Sequence, residues 1–338
     1  MRNLLLLSLL TVVFSLGPSQ ITYAVCMQVG LTPLWGNIID CPAPIQNGPL
    51  NDVTVPNTTP VGDEVNIPPG GGLSVVIFTA ISTLDGDDIV NTSGDVTSAN
   101  VTAISTSLGN DRVVVDGGNL TGGINTISTG ADDDTVIVNA GNLIGAFDAI
   151  FTNGGNDSIT INGGFLEAGN HPLSSGTGND NVTVNDGTLQ SVDPQAVIIT
   201  DSGNDSVNLN GGTYLKGSDN VVDLGADNDV LTFGGDIELD GFVECGEGFD
   251  TLVFAMDVRI DAVATITAQI QSKNPAGDSI VINEINYEWQ NCEMLVPDLN
   301  GVPIVSTVPT LSEWGLISLA AVMGILGIVF YRRRFVQV

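Results

Sequence analysis

GNDSITI at residues 155–161 and GNDNVTV at residues 178–184 are two copies of one segment, in which a turn tripeptide leads into alternating aliphatic residues. Related segments recur about every 23 residues, and each carries an anchor aspartate. The anchors are Asp87, Asp111, Asp134, Asp157, Asp180, Asp205, Asp229 and Asp250. Two and four residues after each anchor the side chain is apolar, with Asn91 the one exception. The repeat therefore decides the fold.

A period near 23 residues with three short apolar stretches is typical of a parallel β-helix, since each stretch is too short for a helix. The alternation predicts strands with one face inward, and the glycine seven residues after most anchors predicts a corner. Valine, threonine, asparagine and glycine are weak helix formers, which argues against helical repeats. The sequence thus predicts an all-β fold: a right-handed parallel β-helix of about eight coils with terminal caps.

Shifts in composition divide the chain into five segments. They are a signal peptide (1–24), an N-terminal cap region (25–79), the β-helix repeats (80–255), a C-terminal cap (256–300), and a linker with a sorting signal and a transmembrane helix (301–338). In the C-terminal cap we expect a helix across Asp261–Ser272, a turn at 274–277 and strands across Ser279–Trp289.

Both ends of the chain have the pattern of targeting signals. Arg2, an apolar run and small residues near Ala24 predict export by the Sec machinery and cleavage by signal peptidase. An uncharged run from Leu316 to Phe330, followed by three arginines, predicts a transmembrane helix with the arginines on the cytoplasmic side. Residues 316–331 would then anchor the chain transiently in the inner membrane, with the body outside it.

The sequence VPTLSEWG, residues 308–315, stands just before this apolar run. With the run and the arginines it resembles the IPTL-CTERM family of bacterial sorting tails, whose pattern is IPTLxxWG, a transmembrane helix and an arginine cluster. The matching residues are Val308 (in place of isoleucine), Pro309, Thr310, Leu311, Trp314, Gly315, Arg332, Arg333 and Arg334. The resemblance implies processing by an exosortase-type enzyme and delivery to the cell envelope, the cell surface or the medium. A plain C-terminal anchor is the alternative.

The charge balance excludes one class of partner. The chain has 39 acidic and 8 basic residues, a formal net charge of −31. A nucleic acid requires a cationic footprint that this chain lacks. The single histidine, His171, argues against a His-rich zinc site.

The four cysteines, Cys26, Cys41, Cys245 and Cys292, include no CxxC pair. In an exported protein they are expected to form disulfides. Of the three connectivities, we favour Cys26–Cys41 with Cys245–Cys292, because each pair lies within one terminal region.

Stacking the coils places the anchor carboxylates in a file, where neighbouring charges repel. One interpretation is turn chemistry, in which the carboxylates face water and asparagines at the preceding position form a ladder along the stack. The other is calcium between successive turns. Residues 176–182, GTGNDNV, resemble part of the RTX nonapeptide GGxGxDxUx, and that resemblance implies calcium ligands at Asp111, Asp134, Asp157, Asp180, Asp205, Asp229 and Asp250. Calcium is the one cofactor considered.

For function, the sequence favours a non-enzymatic, exported solenoid that acts as a structural or adhesive element of the cell surface or matrix, with a surface glycan or another cell as partner. The alternative is a polysaccharide lyase or hydrolase, since β-helices often carry such enzymes. Catalytic carboxylates should break the repeat at one place. The best break is at residues 167–171, which end in His171.

Overall fold

The computed structural model describes residues 27–31, 37–40, 46–47, 53–54, 62–75, 79–83, 85–193, 195–215, 220–259 and 262–302. The predicted signal peptide, the Cys26–Cys41 pair, the transmembrane helix and the sorting signal lie outside these residues. The described residues form β-strands and one α-helix, α1 (Val263–Gln271).

The first strands are β1 (Met27–Leu31), β2 (Asn37–Asp40), β3 (Gln46–Asn47), β4 (Val53–Thr54), β5 (Glu64–Ile67), β6 (Gly72–Val75), β7 (Ile81–Ser82), β8 (Ile89–Thr92), β9 (Asp95–Ser98) and β10 (Ile104–Leu108). They continue with β11 (Arg112–Gly122), β12 (Ile127–Ala131), β13 (Thr135–Gly145), β14 (Ile150–Gly154), β15 (Ser158–Ile161), β16 (Phe165–Ala168), β17 (Leu173–Ser174), β18 (Asn181–Val184), β19 (Thr188–Ser191) and β20 (Ile198–Ile199). The last are β21 (Ser206–Leu215), β22 (Asn220–Asp223), β23 (Val230–Leu239), β24 (Phe242–Glu244), β25 (Thr251–Phe254), β26 (Asp257–Arg259), β27 (Gly277–Ile282), β28 (Ile285–Gln290), β29 (Met294–Pro297) and β30 (Asn300–Val302).

Each coil of the body has three strand positions, which stack into three faces of a parallel β-solenoid. In one coil β15 lies on the first face, β16 on the second and β17 on the third. The long strands β11, β13, β21 and β23 pass round the corner from the first face to the second. The predicted parallel β-helix is therefore confirmed.

The register shows why the aliphatic residues recur. On the first face Val136 pairs with Ile159, and Ile159 pairs with Val182. All three side chains are fully buried. Because successive strand residues point to opposite faces, the residues between them point outward. Burial of the aliphatic files forms one continuous core along the stack.

In the first predicted repeat the anchor is wrong by one residue. Val90 pairs with Val113, so the residue equivalent to Asp111 is Asp88 and not Asp87. Ile89, which the sequence placed inside, is 37% exposed, and Val90 is buried. The sequence offers two adjacent aspartates there, and only the strand register distinguishes them. Parallel pairing also extends before residue 80, through β5 with β8 and β2 with β5.

Both ends of the stack carry antiparallel strands. β1 pairs with β2 at the N-terminal end, and β27 pairs with β28 at the other, where β28 continues the third face. Antiparallel hairpins protect strand edges that would otherwise pair with another chain. The helix α1 lies within the range expected from the sequence.

Aromatic side chains fill the C-terminal end of the core. Tyr287 lies 4.9 Å from Phe233, and Trp289 lies 5.9 Å from Phe254, measured between ring centroids. The predicted disulfide Cys245–Cys292 is confirmed beside them and links the last coils to the cap. None of the helical residues that the structure describes forms a span long and apolar enough to cross a membrane.

Candidate functional site: a buried aspartate column

The anchor aspartates lie inside the solenoid at the start of the first face. We call them the aspartate column: Asp88, Asp111, Asp134, Asp157, Asp180, Asp205, Asp229 and Asp250. Each side chain is at most 2% exposed. The expectation that these carboxylates face water is wrong. The alternation that directs Val182 inward also directs Asp180 inward, two residues earlier.

One oxygen of each column aspartate binds the backbone of the preceding coil. Asp111 donates its backbone N–H to Asp134 Oδ1 at 2.8 Å, and Asp134 donates to Asp157 Oδ1 at 2.7 Å. The same bond joins every neighbouring pair of the column. At the C-terminal end Asp250 donates to Glu293 Oε2. The side chain thus satisfies a main-chain donor at a corner where no strand partner reaches it.

The second oxygen, Oδ2, is different. In every column aspartate it is buried and accepts no hydrogen bond. A buried carboxylate oxygen without a donor is costly when charged.

Burial accordingly raises the pKa of the column aspartates. Loss of hydration is the largest cause, and it raises the pKa of Asp157 to about 7 and that of Asp111 to about 8. Charges on neighbouring column members raise both values further, while the backbone hydrogen bond and a hydroxyl neighbour lower them. The pKa of Asp134 and of Asp205 is raised to about 6 by the same burial. Asp180 and Asp250 shift upward as well, chiefly through desolvation.

A second column, which sequence reasoning missed, runs beside the first. Five residues before the anchor stands a hydroxyl residue in six coils: Thr83, Thr106, Thr129, Thr152, Ser175 and Thr200. These side chains are buried. Thr152 donates its hydroxyl proton to the carbonyl oxygen of Ser175 at 2.7 Å, and Thr106 donates to that of Thr129 at 3.0 Å. The fixed offset from the aspartate was the signal that could have revealed them.

An exposed ladder of asparagines runs beside the aspartate column, as the sequence predicts. In two coils an aspartate, Asp87 or Asp133, takes the place of the asparagine. Asn179 donates its backbone N–H to Asn156 Oδ1 at 2.9 Å, and Asn204 donates to Asn179 Oδ1 at 2.8 Å. These side chains bind the following coil, whereas the aspartate column binds the preceding one. Two adjacent files therefore link the coils in opposite directions.

The sequence also proposed these aspartates as calcium ligands. Among the residues that the structure describes, no three acidic, histidine or cysteine side chains are grouped so that they could hold a metal ion. Asp111, Asp134, Asp157, Asp180, Asp205, Asp229 and Asp250 are stacked in single file, with one oxygen already bound to a backbone N–H. The geometry therefore favours hydrogen bonding, and calcium binding stays a prediction.

His171 lies outside the column, in the turn before the third face. Its Nδ1 is 3.2 Å from Asp148 Oδ1, and both side chains are largely buried. Burial raises the pKa of nearby Asp201. The charge of Asp148 also raises that pKa, whereas His171 lowers it. The histidine thus forms one local contact between adjacent coils.

Comparison with known families identifies the C-terminal segment. Residues 308–335 match the family described as the IPTL-CTERM motif, and the match includes every predicted sorting residue from Val308 to Arg334. No curated protein and no solved structure matches the chain. The motif is a C-terminal sorting signal that an exosortase-type system processes. The chain is therefore an exported, surface-sorted protein whose body is a parallel β-solenoid.

Proposed function

We propose that the solenoid is a non-enzymatic structural and adhesive element of the cell surface. The observation that carries this proposal is the use of its polar side chains. The carboxylates and amides of the repeat bind the backbone of neighbouring coils, as Asp157 and Asn179 do. Groups engaged in this way hold a stack together and are equivalent from coil to coil. Catalysis needs carboxylates in unequal environments at one place.

The dimensions suit a spacer. Eleven strands stack on the first face between β2 and β29, and their ten intervals of about 4.8 Å give a rod of about 48 Å. The net charge of −31 opposes aggregation of such rods. An acidic, capped rod would hold a binding surface on its side at a distance from the cell envelope.

The outward side of the first face supports the adhesive part of the proposal. Twelve consecutive outward positions carry no charge: Thr135, Ile137, Ser158, Thr160, Asn181, Thr183, Ser206, Asn208, Val230, Thr232, Thr251 and Val253. Short hydroxyl, amide and aliphatic side chains recur there at the strand spacing of about 4.8 Å. In so acidic a chain this uncharged strip would not repel a partner. The partner we propose is a neutral surface glycan, which offers hydroxyl groups at regular intervals.

No observation on the described residues favours the lyase or hydrolase alternative. Its best candidate, His171, contacts Asp148 and is not a member of the aspartate column. That alternative would require polysaccharide cleavage that is lost when one acidic residue outside the repeat is replaced.

Two experiments test the proposal. In a bacterium with an exosortase, we expect the intact mass of the surface-exposed protein to lack residues 316–338, and we expect Trp314→Ala to retain them. For adhesion, cells that display the double variant Thr160→Glu/Thr183→Glu should bind a neutral glycan coat less than wild-type cells. Thr97→Glu/Thr121→Glu, which adds the same charges to adjacent coils on the second face, is the matched control. Equal binding by both variants would refute the assigned surface.

A further inference from the structure

The hydrogen-bond arrangement around the aspartate column is incomplete if the carboxylates are charged. Take Asp157 and Thr152. Oδ1 of Asp157 accepts the N–H of Asp134, and the Thr152 hydroxyl gives its one proton to the carbonyl of Ser175. Thr152 is the hydroxyl neighbour of Asp157, yet it has no second proton to donate. Oδ2 is then left buried without a donor.

A proton on Oδ2 completes the arrangement. The carboxyl O–H donates to the free lone pair of the threonine oxygen, the threonine donates onward, and Oδ1 still accepts the backbone N–H. We propose that the aspartates with a threonine partner are neutral carboxylic acids in the folded solenoid, each donating its proton to the threonine five residues earlier, whose own proton is given to a carbonyl. They are Asp88, Asp111, Asp134, Asp157 and Asp205.

The surroundings of the column act in the same direction. The charged groups whose fields raise the pKa of these five aspartates are all carboxylates: neighbouring column members, with Asp63 and Asp87 at Asp88, Asp132 and Asp133 at Asp134, and Asp201 at Asp205. Protonation removes the repulsion along the file. It also removes the cost of burying a charge.

Folding is then coupled to proton uptake. An aspartate of the unfolded chain has a pKa near 3.9, whereas burial raises the pKa of Asp157 to about 7 and that of Asp111 to about 8. Between the pKa of the unfolded chain and the raised pKa of the folded state, the folded state binds more protons than the unfolded chain. The free energy of unfolding therefore falls as pH rises through that window. Below it the contribution is fully present. The folded solenoid is therefore more stable at acidic than at alkaline pH.

Infrared spectroscopy tests the protonation state in the full-length wild-type chain, held in detergent because of its apolar C-terminal segment. At about pH 6, where exposed aspartates and glutamates are ionised, we expect a protonated-carboxyl C=O band that disappears on unfolding. Absence of that band from the folded protein would overturn the proposal. The measurement needs no variant.

Asp157→Asn tests a single site, because the asparagine amide N–H reproduces the carboxyl O–H donor. At about pH 5 the variant should melt within about 2 °C of wild type. From about pH 5 to 8 the wild-type unfolding constant should rise at least about tenfold more than that of the variant, since one pKa unit corresponds to a factor of ten. Asp116→Asn is the matched control, because Asp116 is exposed on a separate file whose next members are Asn139 and Asn162, and it should leave the pH dependence unchanged.

Two results would contradict the inference. One is an Asp157→Asn variant that folds but has the same pH dependence as wild type. The other is a rise in melting temperature at about pH 8 on addition of calcium chloride, since aspartates that are ionised and bound to metal would not need protons.

Discussion

Asp250 donates its backbone N–H to Glu293 Oε2 at 2.7 Å, a bond in which glutamate takes the place that aspartate holds in the preceding coils. Glu293 follows Asp250 by 43 residues because α1 and the β27–β28 hairpin intervene. It directly precedes β29, just as Asp250 directly precedes β25. The C-terminal cap therefore closes the file as well as covering the core.

Replacing Glu293 by alanine should destabilise the C-terminal end, because the N–H of Asp250 loses its acceptor. The expected loss is about 1–3 kcal/mol in the free energy of unfolding, measured by denaturant titration. Glu293→Gln keeps an acceptor oxygen and should cost less. Equal losses in the two variants would contradict this role.

Gly178→Ala should be strongly destabilising. Gly178 has φ +129°, and a Cβ there would lie 1.6 Å from the carbonyl oxygen of Gly155 in the preceding coil. We expect a loss of at least about 3 kcal/mol, measured as the melting temperature and the denaturant midpoint. Gly163→Ala is the control, since Gly163 lies outside the positive-φ region and its nearest atom would be 3.2 Å away. A comparable loss at Gly163 would show that the close approach at Gly178 is unimportant.

Reduction of Cys245–Cys292 should loosen the cap. The two cysteines are separated by 47 residues, for which the chain-entropy treatment gives about 4 kcal/mol. We expect a lower melting temperature for the Cys245→Ala/Cys292→Ala variant. We also expect the fluorescence of Trp289 to change at a lower temperature than in wild type, because Trp289 packs against Phe254 in the last coils. Trp35 and Trp314 should first be replaced by phenylalanine, so that the signal comes from Trp289 alone. Unchanged melting on reduction would contradict the prediction.

Asn179→Ala should cost about 1 kcal/mol, since Asn179 Oδ1 accepts both the N–H and the Nδ2 group of Asn204 on an exposed file where water can replace them. Asp180→Ala should lower the free energy of unfolding by more, because the backbone N–H of Asp157, which loses its acceptor, is buried. The denaturant midpoints of both variants check the order, and the reverse order would contradict the burial argument. Asn179→Asp keeps the acceptor, as Asp133 does in its coil, and should be the mildest change.

Calcium should leave the melt unchanged at neutral pH. The geometry gives each column aspartate one backbone partner and no grouping of three metal-binding side chains among the described residues. Thermal melts in EGTA and in millimolar calcium check this. A large upward shift, with strand signal appearing only after addition, would show that the aspartates bind the metal.

The strand order and the core could be predicted from the sequence because the apolar files repeat. Val136, Ile159 and Val182 occupy one column in both the sequence and the structure. The disulfide followed from the position of its cysteines. The first anchor was predicted wrongly because Asp87 and Asp88 both fit the period of about 23 residues. Only the pairing of Val90 with Val113 on the next strand distinguishes them, and one segment of sequence does not contain that information.

The site was predicted only in outline. The sequence identified the aspartates, but one of its two interpretations placed them in water, because polar residues at turns are usually exposed. Their burial follows from the position of Asp180 two residues before Val182, on the same side of the strand. Thr152 was overlooked because threonine is common in this chain and a hydroxyl contact between side chains five residues apart follows from the bend of the coil.

The opposed directions of the two files bear on how the rod is made. The N–H of each column aspartate is satisfied by the coil that follows, so a stack that has folded from its N-terminal end always presents one column N–H without its acceptor at its growing tip. That donor finds its last acceptor at Glu293. A chain that crosses the membrane N-terminus first would keep that N–H unpaired at the C-terminal tip of its folded stack until the cap emerges. We therefore expect cooperative locking at the end of export, with no stable half-length intermediate.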